Sequence, residues 1–253
     1  MRVFAISDLH VDYEVNQQWV AQLSATDYRR DLLILAGDVC DSIPLLESSL
    51  GTLARRFAKV LYIPGNHEMW VHRDQYPGTS LDKFQRIRRI VEGCGVSMQP
   101  FHCNDLSVVP LLGWYDYSFG EPTPELLESW MDYRACRWPD HFSHREITEY
   151  FLRCNDAVLE VKNETIISFS HFLPRIDLMP NYVPGNQRML YPVLGSTGLE
   201  AQIRRLRPAI HVYGHSHINR NLKLDDVLYV NNAFGYPHET SITAKHLICI
   251  HEG

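Results

Sequence analysis

The first quarter of the chain repeats one pattern, in which a short apolar run is followed by polar residues and then by an amphipathic segment. The apolar runs occupy residues 3–6, 32–36 and 60–63, and amphipathic stretches near 15–23 and 43–57 separate them. Apolar runs of this length bounded by turn signals predict buried strands, and helices between them predict parallel pairing. We therefore expect an α/β fold built around a largely parallel sheet.

The same rhythm continues beyond residue 63, with one interruption. The predicted elements are a helix at 81–91, strands at 96–98 and 106–112, a helix at 144–161, a strand at 165–169, a helix at 198–206 and a strand at 209–213. Segment 114–143 is rich in aromatic residues and is expected to be an insertion packed over the sheet edge. The tail, with apolar runs at 222–224, 227–230 and 242–250, alternates like an antiparallel meander. Because no linker, repeat or low-complexity tract interrupts the sequence, we expect one domain over residues 1–253.

Composition limits the classes of function. The chain has 253 residues, of which 45% are apolar, and a formal net charge of −6. This acidic balance argues against a nucleic-acid binder that works through a broad basic face. The six cysteines form no CxxC pair, which argues against a zinc ribbon or a disulfide framework. There is no secretory-leader pattern and no long apolar run, so we expect a soluble cytoplasmic protein that does not enter the membrane. Its oligomeric state is left open.

Five short polar stretches each follow a predicted strand. They read Ser7-Asp8-Leu9-His10, Gly37-Asp38-Val39-Cys40-Asp41, Pro64-Gly65-Asn66-His67-Glu68, Phe169-Ser170-His171 and Tyr213-Gly214-His215-Ser216-His217. Each stretch alone has an ordinary structural explanation, such as a helix cap, an Asx turn or a buried histidine with a hydrogen-bond partner. Five of them behind five strands favour a shared site, because the carboxyl ends of parallel strands meet at one sheet edge.

The donor types in these stretches indicate metal binding. Carboxylate, imidazole and carboxamide groups without thiolate suit divalent manganese, iron or zinc. Alternate residues of an extended segment project to the same side, so Asp8 with His10, and His215 with His217, can each form a clamp. The donors are too many for one ion, whereas two ions about 3.5–4 Å apart that share a carboxylate would use them all. Asp38 is the natural bridge, because it follows the central strand of the first three.

The series DLH, GDVCD, GNHE, a single histidine behind a strand, and GHSH resembles the calcineurin-like metallophosphoesterase family in residue type, order and spacing over residues 5–217. The resemblance implies a four-layer αββα sandwich with two mixed central sheets flanked by helices. It also implies one metal ion held by Asp8, His10, Asp38 and His217, and a second held by Asp38, Asn66, His171 and His215. His67 would then be the acid beside the leaving group.

This resemblance predicts a binuclear metal-dependent phosphohydrolase. A hydroxide held between two cations is nucleophilic at neutral pH and would attack phosphorus in line, while Asp38 and His67 serve the reaction directly. The expected substrate is a small phosphodiester or phosphomonoester. A nuclease with the same chemistry is disfavoured by the acidic balance. A non-catalytic scaffold would be expected to lose ligands that are all present here, and only the resemblance argues against a hydrolase of an amide or a lactone.

Residues outside the ligand set are predicted to support the site. Asp41 is expected to hold the far nitrogen of a ligand histidine or to brace its own loop. Arg175 and Arg188 lie in the long connection that follows His171 and are candidate phosphate partners. Ser42-Ile43 follows Asp41 where the protein Ser/Thr phosphatases carry an Arg-Gly pair, so a phosphoprotein substrate is not expected.

Overall fold

The computed structural model describes all 253 residues, which form ten strands and eight α-helices. The strands are β1 (Arg2–Ile6), β2 (Leu32–Ala36), β3 (Lys59–Ile63), β4 (Phe101–Cys103), β5 (Leu106–Pro110), β6 (Thr165–Phe169), β7 (Ile210–Tyr213), β8 (Arg220–Leu224), β9 (Val227–Asn231) and β10 (Ile248–Glu252). The helices are α1 (Glu14–Gln22), α2 (Ile43–Arg56), α3 (Asn66–Met69), α4 (Ser80–Gly93), α5 (Pro124–Ser129), α6 (Asp132–Ala135), α7 (His144–Cys154) and α8 (Thr197–Leu206).

The first sheet has the strand order β10-β1-β2-β3. Strands β1, β2 and β3 run parallel, and β10 pairs antiparallel with β1. The register aligns Ile6 with Leu35, and Ala36 with Ile63. The first three strands therefore end at one edge, and the loops that follow them start side by side.

The second sheet has the order β4-β5-β6-β7-β9-β8. Its four central strands are parallel, while β4 and β8 pair antiparallel at the two edges. Phe169 pairs with Val212, and Tyr213 pairs with Asn231, so these strands also end together. Both sheets are therefore mixed, as the family resemblance implied.

Alternating side chains place the two sheets face to face between helices. Val3 and Ala5 of β1 pack in one buried cluster with Val108, Ile167 and other apolar residues of the second sheet. Their neighbours on the same strand, among them Phe4 and Ile6, point the other way and join the larger cluster that contains residues of α1, α2 and α4. On the outer face of the second sheet, α8 packs with residues of β5 and β6. Helix, sheet, sheet and helix thus form the four expected layers.

Three sequence-based element assignments are wrong. Residues 96–98 form no strand: Ser97 makes an isolated bridge to Leu61, and Pro100 has no N–H with which to extend a ladder. The helix predicted over 144–161 ends at Cys154, because the side chain of Asn155 is bonded to both backbone groups of Leu112. In the tail, the strand predicted at 242–250 forms only as β10, and it pairs with β1 of the first sheet, so the tail is not one continuous antiparallel meander.

The aromatic-rich segment 114–143 is built into the core. Trp114, Tyr115 and Leu126 are buried in the same cluster as the outer face of the first sheet. Helices α5 and α6 lie within this segment, and α6 begins at the buried residue Asp132. None of the helices in the structure has both the length and the apolar character that crossing a membrane requires.

Candidate metal centre

The loops behind the five strands bring the predicted donors together. One group of donor atoms comes from Asp8, His10, Asp38 and His217, and a second from Asp38, His171 and His215; within each group the atoms lie within 4.8 Å of one another. Asn66 joins the second group, since its Oδ1 is 3.2 Å from His171 Nε2. Asp38 belongs to both groups, which is the position that a bridging carboxylate would occupy.

The backbone is strained where these donors sit. Asp8, His10, Asp38, His215 and His217 all have positive φ, between 43° and 67°, in the left-handed region that L-residues seldom adopt. Such conformations cost free energy and persist where the surrounding structure enforces them, most often at functional sites.

Two glycines make room for this convergence. Gly37 has φ of +84°, and a Cβ atom there would lie 2.5 Å from Nδ1 of His171. A Cβ atom on Gly65 would overlap Oδ1 of Asp38. Side chains at either position would push the donors apart, so the glycines before Asp38 and Asn66 are required by the close approach of the loops.

The hydrogen bonds of the histidines indicate that a cation belongs between them. His171 Nδ1 lies 2.9 Å from the carbonyl of Ala36, and His215 Nε2 lies 3.0 Å from the carbonyl of Val193. A carbonyl only accepts, so these nitrogens carry the protons in the neutral rings. The remaining lone pairs, on His171 Nε2 and His215 Nδ1, then face each other at 3.2 Å. A proton relieves that repulsion in the metal-free protein, and a divalent cation fits in its place, because ligands about 2.0–2.1 Å from one ion lie at such spacings.

The electrostatics of the donors agree with this arrangement. Burial opposes protonation of His171, but the adjacent carboxylate of Asp38 outweighs it and raises the pKa of His171 to about 9. His217 is likewise buried, and the carboxylate of Asp8 raises its pKa to about 10. Burial by itself would raise the pKa of Asp8, but the interaction with His217 lowers it to about 2. The cluster therefore attracts positive charge, whether protons or metal ions.

His67 lies beside the cluster, with Nε2 3.8 Å from Oδ2 of Asp38. Its backbone N–H donates to Oδ1 of the same carboxylate at 3.0 Å. One face of its ring packs on Trp70, with the ring centroids 3.7 Å apart. Burial lowers the pKa of His67. The imidazole thus stands beside the shared carboxylate without belonging to either donor group.

Glu68 ties two ligand loops together, a role that we did not predict from the sequence. Its carboxylate accepts the backbone N–H groups of Asp38, Val39, Cys40 and Gly65 at 2.6–3.2 Å. Burial and the nearby Asp38 raise the pKa of Glu68 to about 7, although these N–H groups favour its charged form. Glu68 is the last residue of the GNHE motif, and this position in the motif was the sequence signal that could have identified its role.

Asp132 supports the site from the aromatic-rich segment. Its Oδ1 accepts Asn66 Nδ2 at 2.9 Å and Trp70 Nε1 at 2.7 Å. Because the amide nitrogen of Asn66 is held there, its oxygen is directed toward His171. Segment 114–143 therefore does more than cover the sheet edge, and nothing local in its sequence marked Asp132.

Glu239 supports the opposite side. Its Oε2 lies 2.7 Å from Nδ1 of His217, and this contact holds the other ring nitrogen, Nε2, toward Asp8. Carboxylate–histidine–metal relays of this kind orient the ligand and raise its basicity. Glu239 lies between β9 and β10, 22 residues from the histidine that it holds.

The supporting residues predicted from the sequence have other partners. Asp41 accepts Arg73 Nη1 at 2.8 Å, and its carbonyl accepts Lys83 Nζ at 2.7 Å, so it braces its own loop and holds no ligand nitrogen. The guanidinium of Arg175 is ion-paired with Asp177, Glu200 and Asp225. Arg188 donates to the carbonyls of Asn181 and Val183. Both guanidinium groups thus bind protein groups in the structure, and the phosphate contacts stay a prediction.

Comparison with known proteins agrees with the fold. A family model described as calcineurin-like phosphoesterase matches residues 1–219. The acyl-carrier-protein phosphodiesterase PptH of Mycobacterium tuberculosis is 29% identical over 263 aligned positions, which cover 94% of this chain and 78% of that protein.

Solved structures show the same likeness. The crystal structure of Phosphopantetheinyl Hydrolase (PptH) from Mycobacterium tuberculosis superposes with a TM-score of 0.76 at 25% identity, covering 94% of this chain and 90% of that one. Another solved structure, 14% identical with a TM-score of 0.56, shares the fold over 92% of this chain. The match of the family model over most of the chain shows that this protein belongs to the calcineurin-like phosphoesterases and is a metal-dependent phosphoesterase.

Proposed function

We propose that this chain is a binuclear phosphodiesterase that hydrolyses the phosphodiester joining a phosphopantetheinyl group to an acyl carrier protein. The observation that carries the proposal is the 29% identity to an acyl-carrier-protein phosphodiesterase over 94% of the chain. The similarity of the whole fold to a phosphopantetheinyl hydrolase supports it.

The proposed ligands of one ion are Asp8, His10, Asp38 and His217, and those of the other are Asp38, Asn66, His171 and His215. Their nitrogen and oxygen donors suit manganese, iron or zinc. The chemistry supplied by two bound cations is neutralisation of the phosphate oxygens and acidification of water for in-line attack.

The residues of the chain would hold and orient the reacting groups. Asp38 would fix the spacing of the two cation positions, since both groups of donors include it. His67 would place Nε2 beside the departing oxygen and donate a proton to it. This role matters most for an alkyl phosphodiester, because an aliphatic alcohol leaves poorly without a proton.

The test is incubation of the manganese-loaded protein with a carrier protein that bears phosphopantetheine, followed by intact-mass spectrometry. We expect the carrier protein to return to the mass of its unmodified chain, and the Asp38→Asn variant to leave it unchanged. Bis-p-nitrophenyl phosphate, p-nitrophenyl phosphate and DNA serve as parallel substrates. Cleavage of bis-p-nitrophenyl phosphate with an unchanged carrier protein would reject the proposed substrate, and faster hydrolysis of DNA would favour a nuclease.

A further inference from the structure

The loop between β9 and β10, residues 232–247, approaches the metal centre from beyond the part of the chain that the family model matches, which ends at residue 219. We call it the C-terminal loop. It brings Glu239 to His217, as described above, and it also carries Tyr236, whose ring packs on His10.

The C-terminal loop is fastened to the loop that carries Asp8. The N–H of Gly235 donates to the carbonyl of Asp8 at 2.9 Å. Buried Asn16 donates to the carbonyls of both Leu9 and Gly235, at 2.8 and 3.1 Å. These bonds fix the start of the C-terminal loop relative to the ligand loop, so the position of the next residue is set by the site itself.

The backbone N–H and the backbone carbonyl of Tyr236 are both hydrogen-bonded. Its N–H donates to Glu239 Oε2 at 2.7 Å, and its carbonyl accepts Lys245 Nζ at 2.9 Å. Its ring packs on His10 with centroids 4.4 Å apart, and its edge meets His217 at 4.9 Å. The ring is thus locked by contacts that do not involve its hydroxyl.

The hydroxyl of Tyr236 lies 3.5 Å from Nε2 of His67. This is the one side-chain hydrogen bond of the His67 ring. The same nitrogen also lies 3.8 Å from Oδ2 of Asp38, and the remaining contacts of the ring are stacking on Trp70 and an edge contact with His10. A flip of the imidazole ring by 180° exchanges its nitrogens with ring carbons. Stacking contacts are kept in both flip states, whereas a hydrogen bond to one nitrogen is kept in only one of them.

We propose that Tyr236 is a positioning residue. Its hydroxyl accepts a hydrogen bond from Nε2–H of His67 in the free protein, which keeps that N–H directed toward the substrate site, and the departing oxygen replaces the hydroxyl as the acceptor and takes the proton. The proposal rests on the proposed role of His67 as the proton donor. Without the hydroxyl, the His67 ring would occupy both flip states, and transfer of a proton from Nε2 would be less frequent. The loss would grow with the demand of the leaving group for a proton.

The test compares Tyr236→Phe with Tyr13→Phe. The first variant keeps the ring that packs on His10 and removes the hydroxyl. The second removes a hydroxyl from a neighbouring ring, 5.6 Å from that of Tyr236, which is 44% exposed and makes no side-chain hydrogen bond. Both variants are checked for metal content by elemental analysis, which we expect to equal that of the wild type.

The first readout is kcat/KM for phosphodiesters with leaving alcohols of increasing pKa. We expect Tyr236→Phe to lose less than about threefold on bis-p-nitrophenyl phosphate and about tenfold or more on alkyl diesters, a part of the 10²–10⁴ that a positioned general acid contributes. Tyr13→Phe should follow the wild type throughout. An equal loss for all leaving groups would overturn the proposal.

The second readout needs no turnover. The ¹⁵N resonance of His67 Nε2, assigned with His67→Gln, should move in Tyr236→Phe and stay in place in Tyr13→Phe, with or without metal. An unchanged resonance in Tyr236→Phe would overturn the positioning role. If the wild type hydrolysed no phosphodiester, the proposed function would fall, and this resonance would still decide whether Tyr236 holds His67.

Discussion

The donors at the centre and the residues that hold them come from different kinds of structure. The seven proposed ligands lie within four residues of the end of a strand, and five of them have a strained, left-handed backbone. Asp132 and Glu239, which orient two of these ligands, come instead from the aromatic-rich segment and the C-terminal loop.

The site has two separate requirements: the donors must lie close together, and each must direct the correct atom toward the metal. The sheet edge is sufficient to bring donors near one another, because register alone aligns the strand ends. It orients the ring of His171 through the carbonyl of Ala36, whereas the atoms that His217 and Asn66 direct inward are selected by bonds from Glu239 and Asp132. We therefore expect changes at the donors to abolish metal binding and changes at the supports to weaken it.

The largest expected effect is at the shared carboxylate. Asp38→Asn should lower turnover by at least about 10³-fold, because even one preorganised group facing the reacting centre is worth about 10²–10³. The protein should retain no more than one metal equivalent by elemental analysis. Asp41→Asn, three residues away, is the matched control and should keep two equivalents. Two equivalents in Asp38→Asn would refute the bridge.

A smaller effect is expected at the carboxylate that supports His217. Glu239→Gln should weaken binding of one of the two ions by about 10–100-fold, the usual cost of losing such a support, while the other ion is bound as in the wild type. Calorimetric titration with Mn²⁺ measures both affinities. Glu252→Gln, an exposed change on β10, serves as the control. Equal weakening of both ions would show that Glu239 acts on the whole fold and not on His217.

Protonation of the donors should appear as a pH dependence of the metal-free protein. The folded-state pKa values of His171 and His217, about 9 and about 10, lie above the unfolded value near 6.5. A raised histidine pKa stabilises the fold fully below the unfolded pKa, and this contribution is lost as the pH rises toward the folded pKa. We expect the Tm of the chelated protein to fall between pH 6.5 and pH 9, by about 2–4 °C per pH unit for each proton involved. Saturation with metal should remove this slope, and a Tm that rises over the same range without metal would contradict the assignment.

The smallest effect is expected at an arginine that the sequence favoured. Arg175→Ala should leave kcat/KM within about twofold of the wild type, because its guanidinium is bound to Asp177, Glu200 and Asp225. Arg204 also binds Glu200 and Asp225, so these two carboxylates keep a partner in the variant. A large rise in KM alone would show that Arg175 contributes to substrate binding, contrary to this expectation.

Much of the fold could be predicted from sequence because its signals are local. Strand β2 was predicted with its observed bounds, and the short apolar runs with polar ends gave the parallel order of the first sheet. Residues 96–98 were mistaken for a strand because apolar character cannot show whether a neighbouring strand offers a continuous ladder. The end of α7 at Cys154 depends on a bond between Asn155 and Leu112, which are 43 residues apart.

The same division holds for the site. The donor types could be identified because they recur behind strands at fixed spacing. The support given to Asn66 by Asp132 spans 66 residues and passes through a segment whose local pattern shows only aromatic packing. Arg175 was chosen for its position after His171, but the carboxylates that bind it become neighbours only when β8, β9 and α8 come together.

The most direct test of the shared carboxylate is anomalous diffraction from crystals of the manganese-loaded protein. If Asp38 bridges two ions, the map will show two anomalous peaks about 3.5–4 Å apart, each within bonding distance of an oxygen of Asp38. A single peak, or two ions that share no ligand, would contradict it.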